Sequence, residues 1–291
     1  MSISYVNCQL CPRCCGVDRT AGERGFCGCP DTALVAKVML HKWEEPVLAG
    51  SGGSGAIFFG GCTLGCAYCQ NRAISGAPVG APTDGPGLRR IMEDLIARGA
   101  ENIDLVTPSH YVPTILEALE RPLPVPVVYN CGGYERTETL RALEGKVDIY
   151  LPDMKYADNT LGRTLSAAGD YFETAAAAIR EMVRQTGAPQ WRGEKLQKGV
   201  VIRHLILPGQ VENSLKVLDW IGEHFAPGEV LVSLMRQYTP MPGAEPPMDR
   251  PITEEEYQSV LSWMYLNGLE GFTQEASASD AGFIPDFDQS I

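Results

Sequence analysis

The sequence predicts an α/β protein shaped as an incomplete (β/α)6 barrel, and three observations carry that expectation. Six apolar, strand-sized runs alternate with six helix-like segments, the pattern that right-handed crossovers turn into a parallel sheet. Polar and ionisable residues gather just after those runs, where α/β barrels bind their ligands. A loop with three closely spaced cysteines follows the first run. Six units instead of eight leave one side of the barrel open.

At 291 residues the chain is long enough to bury a full core. Lys and Arg number 24 against 36 Asp and Glu, a net charge of −12. With no basic tract, neither nucleic acid nor an acidic membrane surface is an expected partner. The longest apolar runs are strand-sized, far short of a membrane span. Residues 1–8 lack a basic segment followed by an apolar one, so no secretory signal is expected. Ten cysteines in that setting point to the reducing, cytoplasmic compartment and to metal ligation.

Residues 1–50 form a Cys-rich segment holding Cys8, Cys11, Cys14, Cys15, Cys27 and Cys29 among glycines and prolines suited to tight loops. Cys8, Cys11, Cys15 and Cys27 can close around one centre. An auxiliary Fe–S cluster and a structural zinc knuckle suit that set equally, and Cys14 and Cys29 are spare ligands. An amphipathic apolar stretch at 33–40 leads to His41-Lys42-Trp43-Glu44-Glu45-Pro46, where His41 reads as a packed, hydrogen-bonded residue. Residues 50–55, Gly-Ser-Gly-Gly-Ser-Gly, read as a flexible turn, since no Gly-Lys-Ser/Thr follows.

The barrel is assigned to 51–270. Its strand-like runs are 57–60, 103–107, 125–131, 147–154, 200–207 and 230–235. Helix-like segments lie at 87–97, 112–120, 135–143, 171–185, 213–224 and 253–265, the last opening with Thr253 and three glutamates. The tail, 271–291, carries aromatics without helical period and is expected to pack over a barrel end or a partner.

After the first run, Cys62, Cys66 and Cys69 stand at C-x3-C-x2-C spacing, with Tyr68 just before the last. Three thiolates on one loop suit a soft metal centre but fall one short of a closed four-cysteine site. A 4Fe–4S cluster held this way keeps one iron open for a cofactor. The later strand ends supply Ser109 and His110, Asn130-Cys131-Gly132-Gly133, Asp153 with Lys155, Arg203 with His204, and Gln237-Tyr238. The paired glycines are expected to let a ligand approach the backbone. An acid, cations and amides at one mouth suit a zwitterion. As salt bridges alone, the same residues would close the barrel. Cys131 and Tyr238 are hydrogen-atom donors by chemistry.

The cysteine loop with Tyr68 resembles the radical S-adenosylmethionine (SAM) signature. Together with Cys8-Gln9-Leu10-Cys11-Pro12-Arg13, His41–Pro46, Leu105-Val106-Thr107-Pro108-Ser109-His110-Tyr111, Tyr129–Tyr134, Tyr150–Tyr156 and Gln237–Pro240, it resembles the radical SAM family labelled pyruvate formate-lyase-activating-enzyme-like, over nearly the whole chain. The resemblance implies a cytoplasmic oxidoreductase with a TIM-like radical SAM barrel and an electron donor such as flavodoxin or ferredoxin. The 4Fe–4S cluster would sit on Cys62, Cys66 and Cys69. Tyr68, Ser109, Asn130, Lys155 and Arg203 would contact SAM, and Asp153 would help hold a monovalent cation. Reductive cleavage of SAM would give a 5′-deoxyadenosyl radical that abstracts hydrogen from a protein, peptide or small molecule, possible glycyl radical enzymes included. The chain departs from true activases in two places. His110-Tyr111-Val112 replaces their Gly-Gly-Glu, and Asn130-Cys131 replaces their Asp-Thr. Two alternatives stand beside this reading: a peptide- or metabolite-modifying radical SAM enzyme, and a non-catalytic Fe–S or zinc sensing protein.

Overall fold

A computed structural model describes residues 3–274. Its sheet is mixed but mostly parallel, and it does not close. β1 (Ala33–His41) runs antiparallel to β2 (Ser54–Phe59), and the short β3 (Ala81–Thr83) runs antiparallel to β1 at the outer edge. From β2 the sheet continues in parallel through β4 (Ile103–Val106), β5 (Val127–Cys131) and β6 (Ile149–Pro152). Past the hairpin strand β7 (Gln190–Arg192) it resumes with β8 (Lys195–Leu205), β9 (Leu231–Met235) and β10 (Gly271–Thr273). β3 and β10 are the two ends of this order, so the barrel gapes along one side.

All six expected strands and their helices are present. The helices are α1 (Pro46–Ala49), α2 (Arg72–Ser75), α3 (Gly85–Ala97), α4 (Val112–Ala118), α5 (Thr137–Ala142), α6 (Asn159–Ser166), α7 (Tyr171–Thr186), α8 (Val211–His224) and α9 (Glu254–Leu266). Their starts follow local chemistry. Asp84 and Asp158 cap α3 and α6, and Thr253 and Glu256 form a reciprocal capping box at α9. On α3 the buried residues Leu88, Met92 and Leu95 recur at helical spacing, giving one face to the sheet. The main core lies between this helical layer and the outer face of the sheet.

The structure also shows elements the periodicity did not reveal. β1 is a strand because its backbone pairs with β2 over six positions, although a register shift between Val35 and Lys37 breaks its alternation. The first three residues of the expected tail form β10, and residues 275–291 lie outside the described residues. Among the described residues no helix is long and apolar enough to cross a membrane.

Residues 42–49 fill the barrel from the end where its strands begin. Val47 and Leu48 of α1 pack inside it against Val128, Ile149, Leu151, Val201 and Leu231. Asn102, just before β4, donates its side-chain amide to the Leu48 carbonyl at 2.8 Å. This plug makes the lower barrel a packed core. Leu48 is 2% exposed, so Leu48→Ala is expected to cost about 2–5 kcal/mol, read from urea or thermal unfolding. A loss under about 0.5 kcal/mol, the size of an ordinary surface change, would show that the plug does not support the barrel.

Candidate functional site

β2 is buried along its whole length and delivers the chain to the barrel mouth at Gly60. Gly61, with φ +79°, turns it into the cysteine loop, and a Cβ there would collide with Cys29 Sγ. Each of the three loop sulfurs has a hydrogen-bond partner. The Leu64 N–H donates to Cys62 Sγ at 3.3 Å, Cys66 Sγ lies 3.0 Å from Ser166 Oγ, and Cys69 Sγ lies 3.2 Å from Ser75 Oγ. Burial, then the neighbouring Cys66 and Cys69 sulfurs, push the Cys62 thiol up to about 12. Crowded, desolvated thiols resist ionisation, and a bound metal centre removes that penalty. The donor set therefore fits a thiolate-held cluster. Among the described residues, no three Cys, His, Asp or Glu side chains form a set that would hold a bare metal ion as they stand.

Tyr68 is buried behind this loop. Its hydroxyl lies 2.7 Å from Tyr156 Oη, which lies 2.7 Å from Ser166 Oγ, so hydroxyls link Tyr68 back to Cys66. Two arginines fasten the N-terminal segment over the same loop. Arg13 donates Nε to the Thr63 carbonyl at 2.9 Å and its terminal nitrogens to Ala167 and Ser166, and it stacks on Phe26 at 3.8 Å. Arg19 is 1% exposed, donates to the His110 carbonyl at 2.6 Å and to Pro30, and lies between Tyr5 and Tyr111. Among the described residues no carboxylate lies within ion-pair distance of it.

Arg19 reaches toward Cys8 Sγ at 4.0 Å. The other N-terminal sulfurs lie close by. The Phe26 N–H donates to Cys15 Sγ at 3.3 Å, and Cys27 and Cys15 both act on the buried Cys11 thiol, whose pKa burial raises. Cys29 Sγ donates to the Cys27 carbonyl at 3.3 Å, and hydrogen bonding from Cys29, with help from Arg19, holds the Cys27 thiol below its ordinary value. Cys29 Sγ donates to the Gly60 carbonyl at 3.4 Å, so this segment touches the start of the cysteine loop directly. Cys14 is exposed.

Inside the barrel, four expected site residues form one network. Asp153 accepts from Lys155 Nζ at 2.6 Å and from Arg203 Nε at 2.9 Å, and Arg203 also donates to Asn130 Oδ1 at 2.6 Å. Burial works against the Asp153 carboxylate, but Arg203 and then Lys155 outweigh it and hold its pKa below the ordinary 3.8. Gly133, with φ +77°, brings the loop after β5 against the Asp153 carbonyl, and Leu64 fills the space beside Gly132. The two glycines thus give room to protein neighbours at these positions.

Ser109 stands apart from the network. Its hydroxyl donates to Glu135 Oε1, and Tyr129 Oη donates to Glu135 Oε2 at 3.0 Å. Burial raises the Glu135 carboxyl to about 7 against those bonds. Cys131 is buried beside Glu135, and Tyr238 spends its hydroxyl on the Met248 carbonyl at 2.6 Å. His41 packs edge-on against Phe58, but its buried Nδ1 has no hydrogen-bond partner, so the expected bonding is absent at that nitrogen.

A cavity of ≈ 590 Å³ occupies the open side of the barrel. Phe58, Val106, Asn130, Arg203, Ser233 and Met235 form its wall. Lys42, Trp43, Glu44 and Glu45 line it from the plug segment, and Gln70, Gln237 and Gln274 line it from the cysteine loop and the chain after β9 and β10. Gln70 Nε2 donates to the Gln237 carbonyl at 2.7 Å, joining the cysteine loop to the segment after β9 across the gap. Sequence reasoning missed Glu44 and Glu45 as site residues, though their motif was visible. It also missed Asp104, Ser75, Ser166 and the two arginine fasteners, none of which falls at a strand end in the pattern.

Asp153→Asn would leave Lys155 and Arg203 buried without their shared anion. The expected cost is about 3–5 kcal/mol by urea or thermal unfolding at neutral pH. The sign with pH follows from the lowered carboxyl. Its contribution is present above the ordinary value of 3.8 and is lost as pH falls through the lower folded value, so the wild type weakens in acid while D153N loses none of that share. Equal acid sensitivity in both proteins would contradict the assignment.

No known family model matches the chain. Its fold matches radical SAM structures at low sequence identity. SuiB of Streptococcus suis aligns with TM-score 0.51 and 11% identity over 74% of this chain and 47% of that one. The chain thus spans about half of SuiB, and another SuiB structure is bound to S-adenosylmethionine (TM-score 0.50). Spore photoproduct lyase aligns with TM-score 0.52 and 11% identity over 82% and 80%, and HydG, a maturase of the FeFe hydrogenase, with 0.50 and 13% over 76% and 51%. These likenesses show the open radical SAM barrel fold. At the level of sequence, the uncharacterized protein MJ0674 of Methanocaldococcus jannaschii is 30% identical over 271 residues, 88% of this chain and 74% of that protein. The chain belongs to the MJ0674 family.

Proposed function

We propose that this protein is a radical SAM enzyme whose cluster loop is Cys62, Cys66 and Cys69. The observation that carries the reading is the set of three thiols, each with its own hydrogen-bond partner, at the mouth of an open barrel whose cavity is lined by Arg203 and Asn130 of a buried Asp–Lys–Arg–Asn network. When bound, a 4Fe–4S cluster with SAM on its open iron supplies the electron and the 5′-deoxyadenosyl radical for hydrogen abstraction. The chain's own residues bind and orient. Lys155 and Arg203 present cations suited to the SAM carboxylate, Asn130 an amide, and Tyr68 a buried aromatic face behind the loop. Asp153 holds both cations in place. In this reading it is a positioning residue and not a cation ligand, since Arg203 stands between it and Asn130. Ser109, bound to Glu135, contributes through that pair.

The N-terminal cysteines are read as an auxiliary centre, Fe–S or zinc, held against the cluster loop by Arg13 and Cys29. If it is Fe–S, that contact offers a short path for electrons from a flavodoxin- or ferredoxin-type donor. The finer reading, installation of a glycyl radical on a partner enzyme, is supported by Asp153-x-Lys155 and by Arg203 with Pro208-Gly209, which resemble the activases. It predicts a glycyl EPR signal on such a partner during SAM turnover, and turnover without that signal would sink it.

Two experiments test the main reading. Anaerobically reconstituted protein reduced in the presence of SAM should yield 5′-deoxyadenosine, and changing Cys62, Cys66 and Cys69 together to Ala should abolish it and remove about four irons. Undiminished 5′-deoxyadenosine in the triple variant would overturn the assignment. Iron and sulfide left in that variant would place a second cluster at the N-terminal cysteines, and zinc would mark a structural clasp. Separately, Ser166→Ala removes a hydrogen-bond partner from Cys66. With iron content unchanged, the cluster's midpoint potential in an EPR-monitored titration should fall, because donors to cluster sulfurs raise it. An unchanged potential would show that Ser166 only packs.

A further inference from the structure

The plug packs the lower barrel, and a second apolar patch lies beside the gap. Ala56, Phe58, Ile74 and Val106 form a small buried cluster separate from the main core, with Ala36 and Met39 packed against it. Antiparallel pairing sets Lys37 opposite Phe58 and Met39 opposite Ala56, so these side chains share one face of the sheet. That face is the inner one, because Phe58 and Val106 line the cavity. In a closed barrel further strands would stand across from it, but here the strand order ends at β3 and at β10. Small apolar clusters set apart from a main core lie under long segments of chain.

The chain has such a segment at the right place. It leaves β10 at Gln274, which lines the cavity itself. The Arg236 N–H donates to Gln274 Oε1 at 2.9 Å, Gln274 Nε2 donates to Gln237 Oε1 at 3.2 Å, and Tyr257 Oη donates to the Gln274 carbonyl at 3.0 Å. The exit point is therefore fixed at the open side. Residues 275–282 are small or polar, and Phe283-Ile284-Pro285-Asp286-Phe287 follows them. Phe283 is nine positions past Gln274, an extended reach of about 30 Å, ample to cross a cavity of ≈ 590 Å³. In an extended run, Phe283, Pro285 and Phe287 would share one face. Charge agrees with this placement. Residues 275–291 carry Glu275, Asp280, Asp286 and Asp288 and no Lys or Arg. On the β1 side, Lys37 shares the inner face and Lys42 lines the cavity.

We propose that residues 275–291 turn back after Gln274 and lie across the open side of the barrel, seating Phe283 and Phe287 on the patch around Phe58 and Met39. A segment tethered at the cavity edge competes at a high effective concentration, which favours it over a second copy of the chain or a separate peptide. The docking itself needs no cofactor. Its role rests on the radical SAM reading, in which the segment completes the wall that keeps solvent from the reacting radical.

The test uses full-length, anaerobically reconstituted protein without SAM. Phe283, and separately Phe287, is replaced by the photoreactive p-benzoylphenylalanine, and cross-links are mapped by mass spectrometry. Mixing isotope-labelled with unlabelled protein separates links within one chain from links between copies. Links within one chain to the peptides carrying Met39, Trp43 or Phe58 are expected. Links between copies would show that a second copy covers the patch and would overturn the proposal, as would links confined to other parts of the chain or none at all. A second measurement uses a full-length protein with Phe283→Ser and Phe287→Ser together. Acrylamide quenching of Trp43, taken as the difference from the matching Trp43→Phe protein, should rise in that variant. Unchanged quenching would overturn the proposal, and this result decides alone if the photoreactive proteins do not fold by circular dichroism. The expected cross-links without 5′-deoxyadenosine on later addition of SAM and reductant would defeat the radical SAM reading alone. 5′-Deoxyadenosine with cross-links elsewhere would defeat this proposal alone.

Discussion

The contact between Arg203 and Asp153 decides how this open barrel is filled. A closed barrel can pack its interior with branched side chains, but a gaping one exposes its lining and must keep polar groups there. Arg203 reaches from β8 to Asp153 after β6, to Asn130 on β5 and to Glu44 on the plug. One guanidinium therefore ties three consecutive strands to the segment that blocks the far end. Such a buried group is weak evidence of net stability, because desolvation offsets most of the attraction. Its value is placement. It fixes where Arg203 and Asn130 face the cavity.

Above the barrel, the second organising device is the N-terminal segment. It contains little regular structure, and arginines hold it instead. Arg13 bridges the cysteine loop and the end of α6, and the carbonyls it grips belong to Thr63, Ala167 and Ser166. Ser166 is also the hydroxyl beside Cys66. The segment thus sets the position of a group that touches the Cys66 sulfur. Its cysteines and those of the loop form one connected structure.

How much of this was legible in the sequence depends on where each signal resides. The six parallel strands and their helices were readable because apolar runs and helical periods are local. β1 was not, since its register shift and partial burial blur the alternation. α6 was not, since its sequence is polar and short. At the site, Asp153, Lys155, Arg203 and Asn130 were found by the rule that barrel ligands bind at strand ends. Ser109 fits the same rule yet turns to Glu135, a choice made by burial that no spacing records. Glu44 and Glu45 come from below the strands, so the rule could not select them. Arg13 and Arg19 act on backbone carbonyls distant in sequence, and such contacts leave no motif.

Arg19 has one further consequence. A buried guanidinium with carbonyls and aromatic rings around it, and among the described residues no carboxylate at ion-pair distance, is held by the His110 and Pro30 carbonyls to which it donates, with the Cys8 sulfur 4.0 Å away. A charge so buried is costly unless its donors stay paired. His110 lies in the turn after β4 and Pro30 closes the cysteine-rich segment, so one side chain ties the folding of residues 3–30 to the barrel mouth.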